Sequence, residues 1–427
     1  MRFRAAPLTA VLAVVRCAAG ASAEFPFEVR RAAEVVMEID LRSPGSDWSK
    51  PGREAAVAEW SLDDGAARGH IMVWNGEQPR RYSVFLGALG AGRHVLRVER
   101  DPAHSAGGSG LETRDARFLE YAEGSERYDV AANAPVLYAR ANTIGRFSDI
   151  PLFTYAEKLV ENGAPLIQYT VVFSNEDGGT NTRALMARWG RTTDIEYVYR
   201  VYLDTAGHVV RSIIQTRDHK DVDFTGARDA RHPLLIPVTD NNMVASGGSS
   251  ALRYQLAPTL VDLTNASREQ VMDDEPLAYR VMVGELEREG KLRPWGKIDG
   301  SKISDPRNYL YVEARIANQG SRLAALVRLN RETRWRSSDT GIAGAAIERS
   351  GWVRTTVELP PSTKPDDVAE IGFQCLTAEK SAGGVCRVEQ VRKVFFLGSD
   401  CTPQTSFWSL GEGRDFMTGE MVSWTLR

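Results

Sequence analysis

The chain has 427 residues, of which 43% are hydrophobic and 26% are charged, and its formal net charge is −3 at pH 7. This composition is typical of a globular protein and excludes a disordered tail or a fibre. At about 150 residues per domain, the length predicts two or three domains, each able to bury its own core. The near-neutral charge gives no electrostatic argument for a nucleic-acid partner, because such proteins usually carry a basic patch.

Residues 1–23 have the three parts of a secretory signal peptide: two early arginines, the apolar run Ala5 to Val15, and the small-residue site Ala21-Ser22-Ala23. A membrane anchor needs about 20 apolar residues, and Arg16 interrupts this run earlier. A lipid anchor on Cys17 is an alternative, but the arginine before it stands where a small residue is usual. We therefore expect cleavage after Ala23, a secreted or periplasmic location, and no transmembrane segment in the mature chain.

Cleavage would leave 404 residues and, by removing three arginines and no acidic residue, would change the formal charge to −6. Three cysteines then remain, and an oxidising compartment favours a disulfide between two of them. Cys375 and Cys386 flank residues 381–384, which are typical of a hairpin tip, so we expect these two to pair and Cys401 to be left over. A metal site made of the three cysteines is disfavoured, since the last third of the chain contains no histidine.

Short alternating strands separated by Gly, Pro, Asn and Asp recur along the chain, which predicts a mostly β, multi-domain protein. We expect an N-terminal β-sandwich over residues 24–130 and a central β domain over residues 131–265. A short helical connection over residues 266–300, beginning near Ser267, and a C-terminal β-sandwich over residues 301–427 complete the prediction. The run from Leu86 to Val98, a glycine-rich turn that leads into a strand, resembles the jelly-roll modules of secreted carbohydrate-active proteins. The resemblance implies a sandwich fold.

The polar run from Ser174 to Thr182 contains oxygen-bearing side chains, among them Asp177, and two glycines. Such a run can wrap a Ca²⁺ ion, which binds six to eight oxygen atoms. The spacing differs from that of an EF-hand loop, and a turn with the same residues needs no metal. Calcium is therefore a possible cofactor, with Asp177 as one ligand.

Asp194 and Glu196 lie on a predicted strand that ends at Leu203, where residues two apart face the same side. Two carboxylates at this spacing suit a divalent metal, or an acid and base pair acting on a sugar. Arg200 and Tyr202 should continue this face, which Val198 interrupts. The alternative is a solvated, mostly polar strand face without chemistry.

Further candidates surround this strand. His219 is predicted to relay a proton or to bind metal beside the two acidic residues, and Arg191 is predicted to hold an anionic sugar. Trp189 and Tyr202 offer rings on which a sugar can stack, and His232 and Asn241 are further predicted substrate contacts. A surface histidine without a catalytic role is the alternative for either histidine.

No Gly-x-Ser-x-Gly, His-Glu-x-x-His, P-loop or Cys-x-x-Cys motif occurs, which disfavours a serine esterase, a zincin and a nucleotide-driven enzyme. Six tryptophans of the outer blocks can stack on sugars, although most aromatic residues belong to a core. They are Trp60, Trp74, Trp335, Trp352, Trp408 and Trp424.

Within residues 166–245, the run from Asp194 to Val201, then Gln215 and His219, then His232-Pro233, resembles the vacuolar protein sorting-associated sixty-two family. That family has a strand containing Gly-Asp-Trp-Glu-His, a second ending in Gln-His, and a third beginning with Pro. This chain departs from the pattern at Thr193, Ile195 and Tyr197, where the family has Gly, Trp and His. The resemblance implies a β fold and does not specify a reaction.

Together these features predict a secreted protein that binds or degrades polysaccharide, or a cell-surface glycan, with the central domain carrying the site. One alternative is a non-enzymatic envelope or adhesion protein. A second is a metal-dependent phosphoester hydrolase that uses the same carboxylates.

Overall fold

In a computed structural model, the protein is described over residues 11–13, 22–63, 65, 69–176, 178–342, 344–379 and 381–426. Most of the predicted leader lies outside these residues. The described chain is mostly β, as predicted, and forms two compact units. Unit 1 comprises residues 1–177 and 194–262, and unit 2 comprises residues 178–193 and 263–427. No helix of the described residues is long and apolar enough to cross a membrane.

The strands of unit 1 are short and mostly antiparallel. They are β1 (Val11–Ala13), β2 (Ala23–Val29), β3 (Ala33–Arg42), β4 (Ala56–Leu62), β5 (Gly69–Val73), β6 (Arg80–Leu89), β7 (Gly92–Arg100), β8 (Glu112–Tyr121), β9 (Val136–Tyr138), β10 (Pro151–Glu161), β11 (Ala164–Phe173), β12 (Asp194–Leu203), β13 (Val209–Thr216), β14 (Lys220–Asp223), β15 (Arg228–Asp229), β16 (His232–Pro237), β17 (Val244–Ala245), β18 (Arg253–Tyr254) and β19 (Thr259–Leu260). Helix α1 (Tyr128–Ala132) and the 3-10 turns Ala141–Thr143 and Arg217–His219 complete the unit.

Three sheets form from the described strands of unit 1. Their orders are β1-β8-β3-β6, β14-β13-β12-β11-β10-β19, and β15-β16-β9-β18-β5-β4-β7-β2, with β17 paired to β16. In the third sheet, strands from the predicted N-terminal block and from the predicted central block are hydrogen-bonded to each other. One hydrophobic core likewise contains Val36 and Phe85 from the first block and Tyr169 and Val198 from the second. The two blocks therefore fold as one unit around a shared core.

Unit 2 contains helices α2 (Thr182–Trp189), α3 (Gln270–Asp274) and α4 (Leu277–Arg288). The last two confirm the predicted helical connection. The strands are β20 (Tyr309–Gln319), β21 (Ser321–Leu329), β22 (Trp335–Ser337), β23 (Gly351–Glu358), β24 (Val368–Thr377), β25 (Val385–Phe395), β26 (Trp408–Leu410), β27 (Arg414–Met417) and β28 (Met421–Thr425), with 3-10 turns at Pro306–Asn308 and Pro365–Asp367.

These strands form a sandwich of two sheets in unit 2, as predicted for the C-terminal block. One sheet has the order β23-β20-β25-β26, with β27 paired to β25, and the other has the order β22-β21-β24-β28. Apolar side chains from both sheets, such as Val312 and Phe373, fill the space between them and are fully buried. Burial of this apolar surface is the main force that holds the two sheets together.

The disulfide between Cys375 and Cys386 is present, with a Cα–Cα distance of 5.7 Å. The predicted reason for the pairing is wrong, because the two cysteines do not lie on a hairpin. Cys375 belongs to β24 and Cys386 to β25, and these strands are in different sheets. Residues between them cross from one sheet to the other, so the bond joins the two sheets through the buried core. Cys401 is a free cysteine.

Candidate functional site

The residues of the polar run that was predicted to bind calcium belong to different elements of the structure. Ser174 and Asn175 follow β11 and are buried, whereas Asp177 lies outside the described residues. Asn181 caps helix α2, because its side chain accepts a hydrogen bond of 3.0 Å from the backbone N–H of Arg183. The sequence pattern did not predict this helix. A calcium-binding role for Asp177 stays a prediction.

Asp194 and Glu196 share one face of β12, since Asp194 is opposite Phe173 and Glu196 is opposite Val171 on β11. The register then shifts, and Val198 is the extra residue of the bulge. A bulge changes which residues face each side of a strand. Arg200 and Tyr202 therefore lie on the opposite face from the acidic pair, and the expectation that they continue its face is wrong.

The Asp194 carboxylate is buried rather than presented to solvent, since the residue is only 1% exposed. It accepts a hydrogen bond of 3.0 Å from the side-chain amide of Asn242, whose nitrogen also lies 3.4 Å from the carbonyl oxygen of Asn175. Asn242 is fully buried, whereas the predicted substrate contact Asn241 is only partly buried. A substrate contact by Asn241 stays a prediction.

The two predicted histidines occupy different environments within unit 1. His219 is exposed in the turn between β13 and β14, with a positive φ of 54°. His232 is buried, its Nδ1 lies 2.8 Å from the carbonyl oxygen of Ala134, and its Nε2 lies 3.5 Å from a Glu34 oxygen. Its ring also stacks on Phe85 at 4.3 Å. His232 is therefore part of the core, and a substrate contact by His232 stays a prediction.

Arg191 and Trp189 belong to unit 2. Arg191 is buried, its Nε lies 3.2 Å from a carboxylate oxygen of Glu269, and its guanidinium also donates to the carbonyl of Thr193. Burial raises the pKa of Glu269, but Arg191 and neighbouring arginines more than offset this and hold that pKa below its ordinary value. Trp189 ends helix α2, with the Arg188 guanidinium 4.3 Å from its ring centre. Arg191 thus has an internal carboxylate partner.

One group of carboxylate and histidine atoms in the described residues is compact enough to surround a metal ion. It comprises Glu59, His70 and Asp101 of unit 1, whose candidate ligand atoms lie within 4.8 Å of one another. The predicted set of Asp194, Glu196 and His219 is not such a group in the part of the chain that the structure describes.

The hydrogen bonds of His70 oppose a metal at this group. The backbone N–H of Arg253 donates to His70 Nδ1 at 3.1 Å, so Nδ1 carries a lone pair and the ring proton of neutral imidazole is on Nε2. Nε2, which faces Glu59 and Asp101 at 4.0 and 3.9 Å, is then a donor and not a ligand. Burial lowers the pKa of His70, in agreement with a neutral ring, and burial followed by nearby carboxylates raises the pKa of Glu59.

A cavity of about 600 Å³ in unit 2 has the size of a small-molecule site. Its wall combines two tryptophans with many hydrogen-bond donors. The lining residues are Arg183, Arg293, Trp295, Gly296, Lys297, Ile298, Arg334, Trp335, Arg336, Ser337, Asp339, Thr340, Gly341 and Glu358. We call it the Trp295 cavity. Trp335 is one of the tryptophans predicted from the sequence to stack on sugars, whereas Trp295 is not.

The loop that carries Trp295 is held at its base by backbone hydrogen bonds. The N–H of Arg293 donates to the carbonyl of Ile303 at 2.7 Å, and the N–H of Ile303 donates to Lys291 at 3.1 Å. A turn follows, in which the N–H of Lys297 donates to Pro294 and Gly296 has a φ of 74°. This φ at the third position is typical of a type II turn and favours glycine. The turn leaves the Trp295 side chain 37% exposed.

Arg293 ties the same loop to the sandwich. Its guanidinium forms two hydrogen bonds with the Glu358 carboxylate, of 2.9 and 2.7 Å, and also donates to the carbonyls of Lys302 and Pro294. Such a two-point contact fixes the direction of both side chains. Burial lowers the pKa of Arg293, but Glu358 more than offsets it, so the pKa stays above its ordinary value and the residue is charged.

The opposite wall comes from β22 and from the turn after it. β22 pairs with β21, placing Trp335 opposite Arg328. In the turn, the N–H of Ile342 donates to the carbonyl of Asp339, and Thr340 and Gly341 both have positive φ. Arg183 of helix α2 donates to the carbonyl and the hydroxyl of Thr340, both at 3.3 Å. Side chains distant in sequence are thereby brought to one cavity.

Of the known proteins compared with this chain, solved structures alone are similar to it. No family model and no curated protein matches the chain. The resemblance to the sixty-two family is therefore not supported. Matches to 31 chains of solved structures were found.

Carbohydrate-binding modules are among the solved structures to which the chain is similar. The C-terminal CBM6 of the laminarinase LamC from Zobellia galactanivorans has 11% identity and a TM-score of 0.19, over 26% of this chain and 91% of that chain. The CBM36-1 domain of a xylanase from the hindgut metagenome of Trinervitermes trinervoides has 10% identity and a TM-score of 0.20, over 26% and 96%. The module CBM6cm-2 of Cellvibrio mixtus lichenase 5A, in complex with cellotriose, has 17% identity and a TM-score of 0.17, over 24% and 73%. At these TM-scores the likenesses carry no functional argument, which rests instead on the residues of this chain.

Proposed function

We propose that the protein binds carbohydrate and that the ligand, a polysaccharide or a cell-surface glycan, occupies the Trp295 cavity. The observation that carries this proposal is the pairing of Trp295 and Trp335 with hydrogen-bond donors around one cavity. The apolar faces of sugar rings pack on aromatic rings, while their hydroxyl groups need polar partners. A wall with both kinds of group meets both requirements.

We also propose that the protein acts outside the cytoplasm. The buried disulfide between Cys375 and Cys386 supports this location, because such bonds persist in oxidising compartments. The predicted leader agrees with it. Secretion is tested by sequencing the N-terminus of the exported protein, where cleavage after Ala23 is the expected result.

Binding is tested by screening the purified protein on a glycan microarray and then titrating the best ligand into the parent protein and the Trp295→Ala variant. We expect at least about a tenfold loss of affinity, because an exposed aromatic side chain at the centre of a site often contributes about 2 kcal/mol. Trp295→Phe, which keeps an aromatic ring, should restore part of the affinity.

The control is Trp352→Ala. Trp352 is in the same unit, is partly exposed and does not line the cavity. Its loss should leave the affinity unchanged. Equal affinity of the parent and Trp295→Ala, with both proteins folded, would place the ligand elsewhere and refute the cavity as the binding site.

Degradation of the bound polysaccharide, or of a phosphoester, is a separate prediction that depends on Asp194 and Glu196 of unit 1. A rate lost in Glu196→Gln, with folding intact, would support catalysis. Sensitivity of that rate to a chelator would support the metal-dependent alternative. Binding without turnover would favour the envelope or adhesion protein.

A further inference from the structure

The Trp295 cavity has an excess of positive charge. Five of its lining residues are cationic, namely Arg183, Arg293, Lys297, Arg334 and Arg336, and two are acidic, namely Asp339 and Glu358. The whole chain, by contrast, has a formal charge of −3. The excess is therefore local and does not follow from the overall composition.

Two of the five cations are neutralised by carboxylates of the protein. Arg293 is bound at two points by Glu358. Arg336 donates to both oxygens of Glu332, each at 3.1 Å. These two arginines hold the wall in place, and their charge is already balanced.

The other three cations have no carboxylate partner among the residues that the structure describes. The Arg183 guanidinium donates two hydrogen bonds to Thr340, to its carbonyl and its hydroxyl, and neither acceptor is a carboxylate. Lys297 and Arg334 are exposed, and no ion pair is formed by either side chain within the described chain. The remaining acidic residue of the wall, Asp339, balances one of these charges at most. A net positive charge is left for a ligand.

We propose that the carbohydrate bound in the Trp295 cavity is an acidic one, in which carboxylate or sulfate groups contact Lys297 and Arg334. This inference rests on the proposed function. The planar guanidinium of Arg334 can bind either anion at two points, and Lys297 supplies a point charge beside it. Trp295 would then pack on the sugar ring that carries the acidic group.

The geometry of the loop supports this arrangement. Trp295 and Lys297 are the two neighbours of Gly296 in one turn, and the turn is fixed through Arg293. Trp295 supplies an aromatic ring and Lys297 a positive charge on the same fixed turn, which matches a sugar with a negatively charged substituent. A neutral sugar would pack on Trp295 and leave Lys297 without a partner.

The test is a microarray printed with neutral, uronate-containing and sulfated oligosaccharides, probed with the full protein and with Lys297→Gln/Arg334→Gln. We expect signals on acidic glycans and at least about a tenfold loss of affinity in the double variant, since it removes both charged donors that would contact the anion. Added salt should weaken binding, because exposed charges are screened. The relative signals on uronates and sulfates identify the anion.

The control is Lys364→Gln/Arg387→Gln. It removes the same net charge from exposed positions of unit 2 that do not line the cavity, and it should bind acidic glycans like the parent. Binding confined to neutral glycans, or acidic binding that survives Lys297→Gln/Arg334→Gln, overturns the inference and leaves the proposed function standing. Absence of binding to every glycan overturns the proposed function itself.

Discussion

Replacement of Arg354 by methionine should destabilise unit 2 strongly. The Arg354 side chain is 0% exposed and contacts the carboxylates of Glu313 and Asp273, which are 0% and 11% exposed. Breaking a buried ion pair by removing one partner costs about 3–5 kcal/mol, because a buried charge is left behind. Methionine has a similar length and leaves little empty space, so the electrostatic loss dominates.

The lower end of this range is expected from the remaining contacts. Glu313 keeps its 2.7 Å contact with Arg392, and Asp273 keeps its 2.8 Å contact with Lys393. We therefore expect a loss of about 3 kcal/mol. Unit 2 spans about 180 residues, and a domain of this size loses about 2–4 °C of melting temperature per kcal/mol. The expected fall is about 6–12 °C.

The assay is differential scanning calorimetry of the parent, Arg354→Met and the control Arg315→Met. Arg315 forms an exposed pair with Glu389 at 2.9 Å, with the side chains 50% and 34% exposed. Exposed pairs contribute about 0–1 kcal/mol, so this control should melt within a few degrees of the parent. A melting temperature of Arg354→Met equal to that of the control would refute the assignment of the buried pair as a stabilising contact.

Three further results are expected. Cys375→Ala/Cys386→Ala should lower the free energy of unfolding of unit 2 by about 3 kcal/mol in chemical denaturation, because the bond closes a loop between cysteines 11 positions apart; an unchanged midpoint would contradict this. Burial raises the pKa of Asp273, but Arg354 and Lys393 more than offset it and hold that pKa below its ordinary 3.8. The carboxylate therefore stabilises the fold above about pH 4 and loses this effect as the pH falls through the lowered pKa, and Asp273→Asn should flatten the acid limb of a melting profile. Arg293→Met should weaken glycan binding without unfolding the sandwich, since it frees the Trp295 loop; unaltered titration curves would count against that anchoring.

The sequence pattern predicted the strand that carries Asp194 and ends at Leu203, and β12 spans these residues. The pattern did not predict the bulge at Val198, because Val198 and Tyr199 are both buried by contacts with a distant part of the same core. That one extra residue moved Arg200 and Tyr202 away from the acidic pair.

The disulfide prediction was also limited by contacts between residues that are distant in sequence. The short spacing of Cys375 and Cys386 indicated a bond, and the bond is present. Spacing alone did not distinguish a hairpin within one sheet from a connection between two sheets, because both bring the ends of a short segment together. The pairing partners of β24 and β25 decide between them, and those partners are distant in sequence.

The sequence pattern could not predict the Trp295 cavity, for a related reason. Its wall comes from a helix near residue 183, a turn near residue 295 and an edge strand near residue 335, and each segment is unremarkable in the sequence by itself. What makes them a site is that each is fixed where it approaches the others: Gly296 sets one turn, Thr340 receives Arg183, and Glu358 holds Arg293. Internal carboxylates neutralise some of the arginines in the wall, and other arginines have no carboxylate partner. A site of this kind is recognised by finding which cations lack an internal partner, and that property exists only once the chain has folded.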